Sequence, residues 1–119
     1  MAVESLNLWR FGEEEGCQFL KKNGYKIVER NYRTPRGEID IIARSGKIII
    51  FVEVRTRASN TFSEPWETVG HRKRERLRAA ARQYLREKPS PDAELRFDIL
   101  SITLDDAVKP KIEWFQNAF

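Results

Sequence analysis

The stretch Ile48-Ile49-Ile50-Phe51-Val52-Glu53-Val54-Arg55 decides the architecture. Its first five residues are β-branched or aromatic without a break, which predicts a strand buried on both faces at the centre of a sheet. Glu53 belongs to the same strand. A carboxylate left ionised and unpaired there would cost several kcal/mol, so it needs a cation or a proton.

Reading upstream, Arg44-Ser45-Gly46-Lys47 predicts a hairpin turn into a strand over Glu38–Ala43, where Asp40 sits between Ile39 and Ile41-Ile42. A loop of Ser45-Gly46 pairs Arg44 with Lys47, Asp40 with Phe51 and Glu38 with Glu53, and a four-residue loop keeps that register. Asp40 and Glu53 then share a face as diagonal neighbours about 7 Å apart, with Glu38 beside them. A three-residue loop would put them on opposite faces. Before this hairpin, Tyr25–Arg33 reads as a strand turned by Pro35, Arg36 and Gly37, and Asn7–Asn23 as a helix closed by Gly24. Downstream follow a loop over Ala58–Glu67, a helix over His71–Lys88 stopped before Pro89, a strand over Leu95–Leu104 and a short strand over Lys111–Phe115. This order predicts an α/β fold, a central mixed sheet flanked by helices.

The 119 residues, 40% apolar and 34% charged, favour a single domain over 1–119 with one core. A net charge of +4 tilts toward a polyanionic partner only where the charges cluster. One cysteine, Cys17, excludes an intrachain disulfide and any zinc site needing two thiolates. The N-terminal MAVESLNLWRF has no signal-peptide pattern, and no apolar run is long enough for a bilayer. A cytoplasmic protein without membrane contact is expected.

Two helical charges stand where apolar residues belong. Glu13 lies within about 60° of Trp9, Gly16, Cys17 and Leu20, the stripe expected to face the sheet. The alternative is a Glu lifted to solvent near the first turn, favoured by the helix dipole. Lys73 begins the inward stripe of Leu77, Ala80, Ala81 and Tyr84, so its stem can lie along the sheet and bring the ammonium to the carboxylates. Arg78, Arg82 and Arg86 fall on the opposite side, as a solvated face or a phosphate-tracking ridge. Gathered carboxylates raise one another's pKa unless something positive lies between them. Mg²⁺ or Mn²⁺ meets that need, and so does a buried salt bridge to arginine. His71 reads as exposed and without a role. Trp66 either packs on the sheet or stacks on a base.

At these residues a family resemblance appears. Gly12-Glu13, Leu20-Lys21-Lys22-Asn23-Gly24-Tyr25, Arg30-Asn31-Tyr32-Arg33, Gly37-Glu38-Ile39-Asp40, Phe51 to Arg57, Arg96-Phe97-Asp98 and Asn117-Ala118-Phe119 together resemble the UPF0102 (YraN-type) family. That family is similar to Holliday-junction resolvases and to the PD-(D/E)XK restriction-endonuclease-like nucleases. The resemblance implies a mixed sheet between helices, with Asp40 and Glu53 as metal ligands and Glu13 nearby. It implies a Mg²⁺-dependent phosphodiester hydrolase acting on DNA, including branched DNA. In this reading Asp40, Glu53 and the Val54 carbonyl hold the metal, with Glu13 bound through water or completing a second site. Arg55 and Lys73 steady the developing charge, while Arg57, Arg72, Arg74 and Arg76 contact flanking phosphates.

The family motif reads Glu-x-Lys where this chain has Glu53-Val54-Arg55. Arginine keeps its proton and cannot act as a base, although it can hold a phosphate oxygen. Three outcomes stay open: Lys73 replaces the lysine, Arg55 suffices, or activity is lost. The last leaves a catalytically inactive nucleic-acid-binding module that keeps the nuclease fold. A purely structural partner protein would bind neither metal nor DNA. A homodimer is left open.

Overall fold

The computed structural model describes residues 2–58, 70–104 and 110–119. Chain order is α1 (Ala2–Lys22), β1 (Lys26–Thr34), β2 (Gly37–Ser45), β3 (Ile48–Ala58), α2 (His71–Glu87), β4 (Glu94–Leu104) and β5 (Lys111–Phe115). Nearly all of the loop expected over Ala58–Glu67, with Trp66, lies outside the described residues.

The five strands form one sheet in the order β1-β2-β3-β4-β5. β1–β2, β2–β3 and β4–β5 are antiparallel, and only β3–β4, joined through α2, is parallel. The expected mixed α/β sheet is what forms, with β3 at its centre. α1 covers one face, setting Cys17 and Leu20 on Ile41, Ile50, Val52 and Leu100. α2 covers the other with Leu77, Ala80, Ala81 and Tyr84 on Ile39, Ile42 and Phe51. That is the stripe expected for α2. α1 stops in a left-handed cap: Gly24 takes φ +87°, Tyr25 N–H donates to the Leu20 carbonyl at 3.0 Å and Gly24 N–H to that of Lys21 at 3.1 Å.

The β2–β3 register differs from the expected one by two residues. The loop is Gly46-Lys47, so Ser45 pairs with Ile48, Arg44 with Ile49 and Ile42 with Phe51. Gly46 takes φ +58° as the first of two loop residues, which primed hairpin turns require and which Ser45 would resist. A shift of two preserves the facing of every side chain, and the three-residue alternative is not the one adopted. The ladder stops at Ile41–Val52, immediately before Asp40 and Glu53, so the expected pairings of Asp40 with Phe51 and of Glu38 with Glu53 do not form. Glu38 lines the same cleft as Asp40 and Glu53, at its exposed margin. It is ion-paired to Arg33 at 3.4 Å.

Candidate active site

Where the outer end of the β1–β2 hairpin leaves the sheet, strand alternation reverses. Arg30 reaches Glu14 on α1 at 3.0 Å, while Tyr32 stacks edge-on against Tyr84 of α2 with ring centroids 5.5 Å apart. These two residues would share a face in a regular strand. Asn31 between them takes φ +52°, which turns the strand over. β2 reverses in step, since Ile41 packs under α1 and Ile39 under α2. Asp40 occupies that pivot, and the β2–β3 ladder ends at Ile41–Val52.

Asp40 uses the gap. Its Oδ2 accepts the Val54 N–H at 2.8 Å, a bond the next β2 residue would otherwise make. N–H and C=O of one residue point to the same side of a strand, so the Val54 carbonyl faces this gap too. Glu53, 5% exposed, lies within hydrogen-bond reach of the Asp40 carboxyl. Burial first, and then the Glu53 charge, push the Asp40 carboxyl up to about 8, against the opposing pull of the Val54 N–H. Glu13 approaches from α1, 1% exposed, and its charge also raises Asp40. Its own carboxyl is raised by burial, which outweighs Asn31, Arg30 and Arg33, and its Oε2 has no hydrogen-bond partner. Glu13 is therefore not lifted to solvent.

Two cations answer from the α2 side. Lys73 Nζ lies 2.5 Å from Glu53 Oε1, and Arg55 Nε 3.6 Å from the same oxygen. They border a cleft of about 860 Å³ whose walls include Trp9, Asp40, Arg55, Arg72, Lys73 and Arg76. Of the four arginines expected on flanking phosphates, only Arg72 and Arg76 line it. Arg74 instead lies over the Phe119 ring at 5.8 Å, because a helix turns about 100° per residue and carries position 74 round to the C-terminal segment. Arg57 is half-buried two residues beyond Arg55 on β3. Arg78, expected on a solvated face, pairs with Glu75 at 3.3 Å and lies 5.9 Å over Phe97. His71 is exposed, as expected.

Asp40, Glu53 and the Val54 carbonyl form a set of hard oxygen donors suited to a cation that keeps several waters. Among the described residues no three His, Cys, Asp or Glu side chains gather closely enough to cage an ion. Glu13, buried with its Oε2 unpartnered, is not among the residues lining the cleft.

Sequence reasoning missed four contributors. A β-carbon on Gly12 would fall inside the Thr56 side chain, and one on Gly16 would press Leu100 Cδ1 at 3.3 Å. These glycines, one turn apart, let α1 lie against β3 and carry Glu13 inward. Their i, i+4 spacing is visible in the sequence. Gly37 serves α2 in the same way, since a β-carbon there would overlap the Arg76 backbone. Trp9, expected to face the sheet, is 37% exposed at the cleft wall. Its place in α1 gave no hint of a cleft there.

A mixed five-stranded sheet with one helix on each face makes this an α/β protein, consistent with a nuclease-like fold. The profile of the "Uncharacterised protein family UPF0102" matches residues 12–102. A UPF0102 protein of Syntrophomonas wolfei is 46% identical over 114 residues, covering 96% of each chain. One of Moorella thermoacetica is 48% identical over 81% of this chain and 80% of its own, and one of Geobacter metallireducens 41% identical over 100% and 97%. The chain belongs to the UPF0102 family. No helix among the described residues is long and apolar enough to cross a membrane.

Proposed function

We propose that the cleft hydrolyses phosphodiester bonds in DNA with Mg²⁺ or Mn²⁺, branched or structured DNA being the substrate to try first. The observation that carries this reading is the Asp40–Glu53 carboxylate pair in a cleft bordered by Lys73, Arg55, Arg72 and Arg76. Asp40, Glu53 and the Val54 carbonyl would hold the ion. A divalent ion there supplies Lewis acidity toward a phosphate oxygen and acidifies water. Without it, Asp40 retains a proton near neutral pH, which relieves the repulsion from Glu53. Lys73 neutralises Glu53 at rest and, 43% exposed, can turn toward a phosphate oxygen as negative charge develops. Arg72 and Arg76, exposed on the outer side of the same helix turn, position flanking phosphates without reading sequence.

One observation favours a second reading, a nucleic-acid-binding module that has lost catalysis. Arg55 and Lys73 both engage Glu53 Oε1, and an entering cation must displace them. Assays of wild type, Lys73→Ala and Arg55→Lys on a four-way junction with Mg²⁺ or Mn²⁺ separate the two. The catalytic reading expects wild-type cleavage, lost in Lys73→Ala while DNA binding survives, and Mn²⁺ binding lost in Glu53→Gln. Wild-type cleavage unaffected by Lys73→Ala removes that role from Lys73. An inactive wild type that binds DNA and gains cleavage in Arg55→Lys establishes the second reading.

A further inference from the structure

A second, smaller depression of about 260 Å³ lies farther along α2, lined by Pro35, Arg36, Ala79, Arg82, Gln83 and Arg86. Three of these six residues are arginines, all exposed, and no carboxylate lines the depression among the described residues. Three other surface cations nearby do have acidic partners: Arg33 with Glu38, Arg78 with Glu75 and Lys88 with Glu29. Arg36 comes from another element and is held there by the turn. The Thr34 hydroxyl accepts the N–H groups of Arg36 at 3.1 Å and Gly37 at 3.0 Å, and Pro35 fixes the loop's first torsion. Gly37 then seats the hairpin on the α2 backbone at Arg76. A turn that is far apart in sequence from Arg82 and Arg86 thus delivers a third guanidinium to one niche. Guanidinium forks without a carboxylate match a phosphate group.

The niche and the cleft are separate, but both are lined by residues of α2. At about 100° per residue, Arg72, Arg76, Ala79, Gln83 and Arg86 fall within about 80° of arc on α2. The midpoint of Arg82 and Arg86 lies about ten residues after that of Arg72 and Arg76, about 15 Å along the helix axis. One strand of duplex DNA advances about 3.4 Å per nucleotide, so the two arginine groups are about four to five nucleotides apart.

We infer that the Arg36–Arg82–Arg86 niche holds a backbone phosphate of the nucleic acid, on the same strand as the cleft and about four to five nucleotides from it. The inference rests on the nucleic-acid reading of the cleft. It makes the protein a two-point clamp whose affinity depends on substrate length.

The test measures fluorescence anisotropy of labelled DNA hairpins sharing one loop, with stems from about 4 to about 12 base pairs. Wild type should bind the longer stems roughly tenfold more tightly, with a step where the stem first spans both sites. The triple variant Arg36→Ala/Arg82→Ala/Arg86→Ala should bind the shortest stem as wild type does and lose the step. Its plot of log affinity against log salt on long stems should be shallower by about one to two. A Lys21→Ala/Lys22→Ala/Lys26→Ala variant removes the same charge from exposed positions elsewhere and should keep the step. Inorganic phosphate that relieves the long-stem advantage only at concentrations far above the DNA supports a backbone ligand, whereas equal potency of free phosphate and long-stem DNA overturns it. A step unchanged in the arginine variant, or lost equally in the lysine variant, overturns the niche while the cleft reading stands. Failure to bind any stem overturns both.

Discussion

Two buried acidic sites stand side by side in this sheet, and they are built in opposite ways. Asp98 on β4 pairs in register with Val52, the residue before Glu53. It is fully buried, yet its carboxylate is complete. Arg96 donates to it from Nε at 3.0 Å and from Nη2 at 2.8 Å, Trp114 Nε1 at 2.9 Å and Asn117 N–H at 2.8 Å. The pairing raises the Arg96 guanidinium further, chiefly through its hydrogen bonds to Asp98. The Asp40–Glu53–Glu13 group has the reverse character: one backbone donor to Asp40, two cations on a single Glu53 oxygen, and a Glu13 oxygen with no partner. A buried charge that the chain satisfies by itself serves architecture. One that it leaves short of partners, at the wall of a cleft, is available to a ligand.

The largest test of this contrast is Asp98→Ala. It strips the centre of a four-donor network and leaves Arg96 nearly buried without its anion, so it should destabilise by about 3–5 kcal/mol in chemical denaturation. A loss below about 1 kcal/mol would put Asp98 in the same class as the cleft carboxylates and dissolve the contrast.

Gly37→Ala comes next. The obstructing atoms belong to the Arg76 backbone, which cannot rotate aside as a side chain would, so the hairpin or α2 must move. Overpacking of this kind costs about 1–3 kcal/mol. Because Gly37 also seats the arm that ends in Asp40, residual DNA affinity of the folded variant should fall as well. Unchanged stability would mean that hairpin and helix are not tightly seated.

The contrast also explains what the sequence could tell. β3 was legible because Ile48 to Val52 has no polar side to hide. α2 was legible because its inward residues keep helical spacing from Lys73 to Tyr84. Their conflict with that pattern made Glu53 and Lys73 stand out. Asp98 did not stand out: Arg96-Phe97-Asp98 fits an ordinary strand, and two of its four donors arrive only by tertiary folding, from Trp114 and Asn117. The reversal at Asn31 and Asp40 was hidden for a related reason. A left-handed asparagine leaves no mark in a hydrophobic pattern except the loose alternation of Tyr25–Arg33. Arg74 was misplaced because a run of basic residues around a helix start does not say which of them the first turn aims at the cleft.

Glu53→Gln sharpens the contrast from the other side. The substitution removes the ion pairs to Lys73 and Arg55 but also the charge that opposes Asp40. These effects offset, so cation-free stability should change by less than about 1 kcal/mol, far from the loss expected at Asp98. Loss of about 3 kcal/mol would show that Glu53 is a structural ion pair. The same variant should lose Mn²⁺ binding, measurable by calorimetry.

The last expected effect is a pH dependence. Burial and Glu53 lift the folded Asp40 carboxyl to about 8, from an ordinary value of 3.8. The folded state therefore holds this proton more tightly than the unfolded chain does. Its stabilising contribution is complete below the unfolded value and is lost as pH rises through the folded one. In EDTA, the melting temperature should accordingly fall between about pH 5 and pH 8. Asp40→Asn cannot titrate and should flatten that component, so the informative quantity is the difference between the two proteins at each pH. Titrations common to both proteins cancel in it. Mn²⁺ should act in the opposite sense, raising the wild-type melting temperature most near pH 8, where Asp40 has lost the proton with which the ion competes. Parallel curves for wild type and Asp40→Asn in EDTA would mean that Asp40 is ionised throughout, with its charge already balanced as that of Asp98 is.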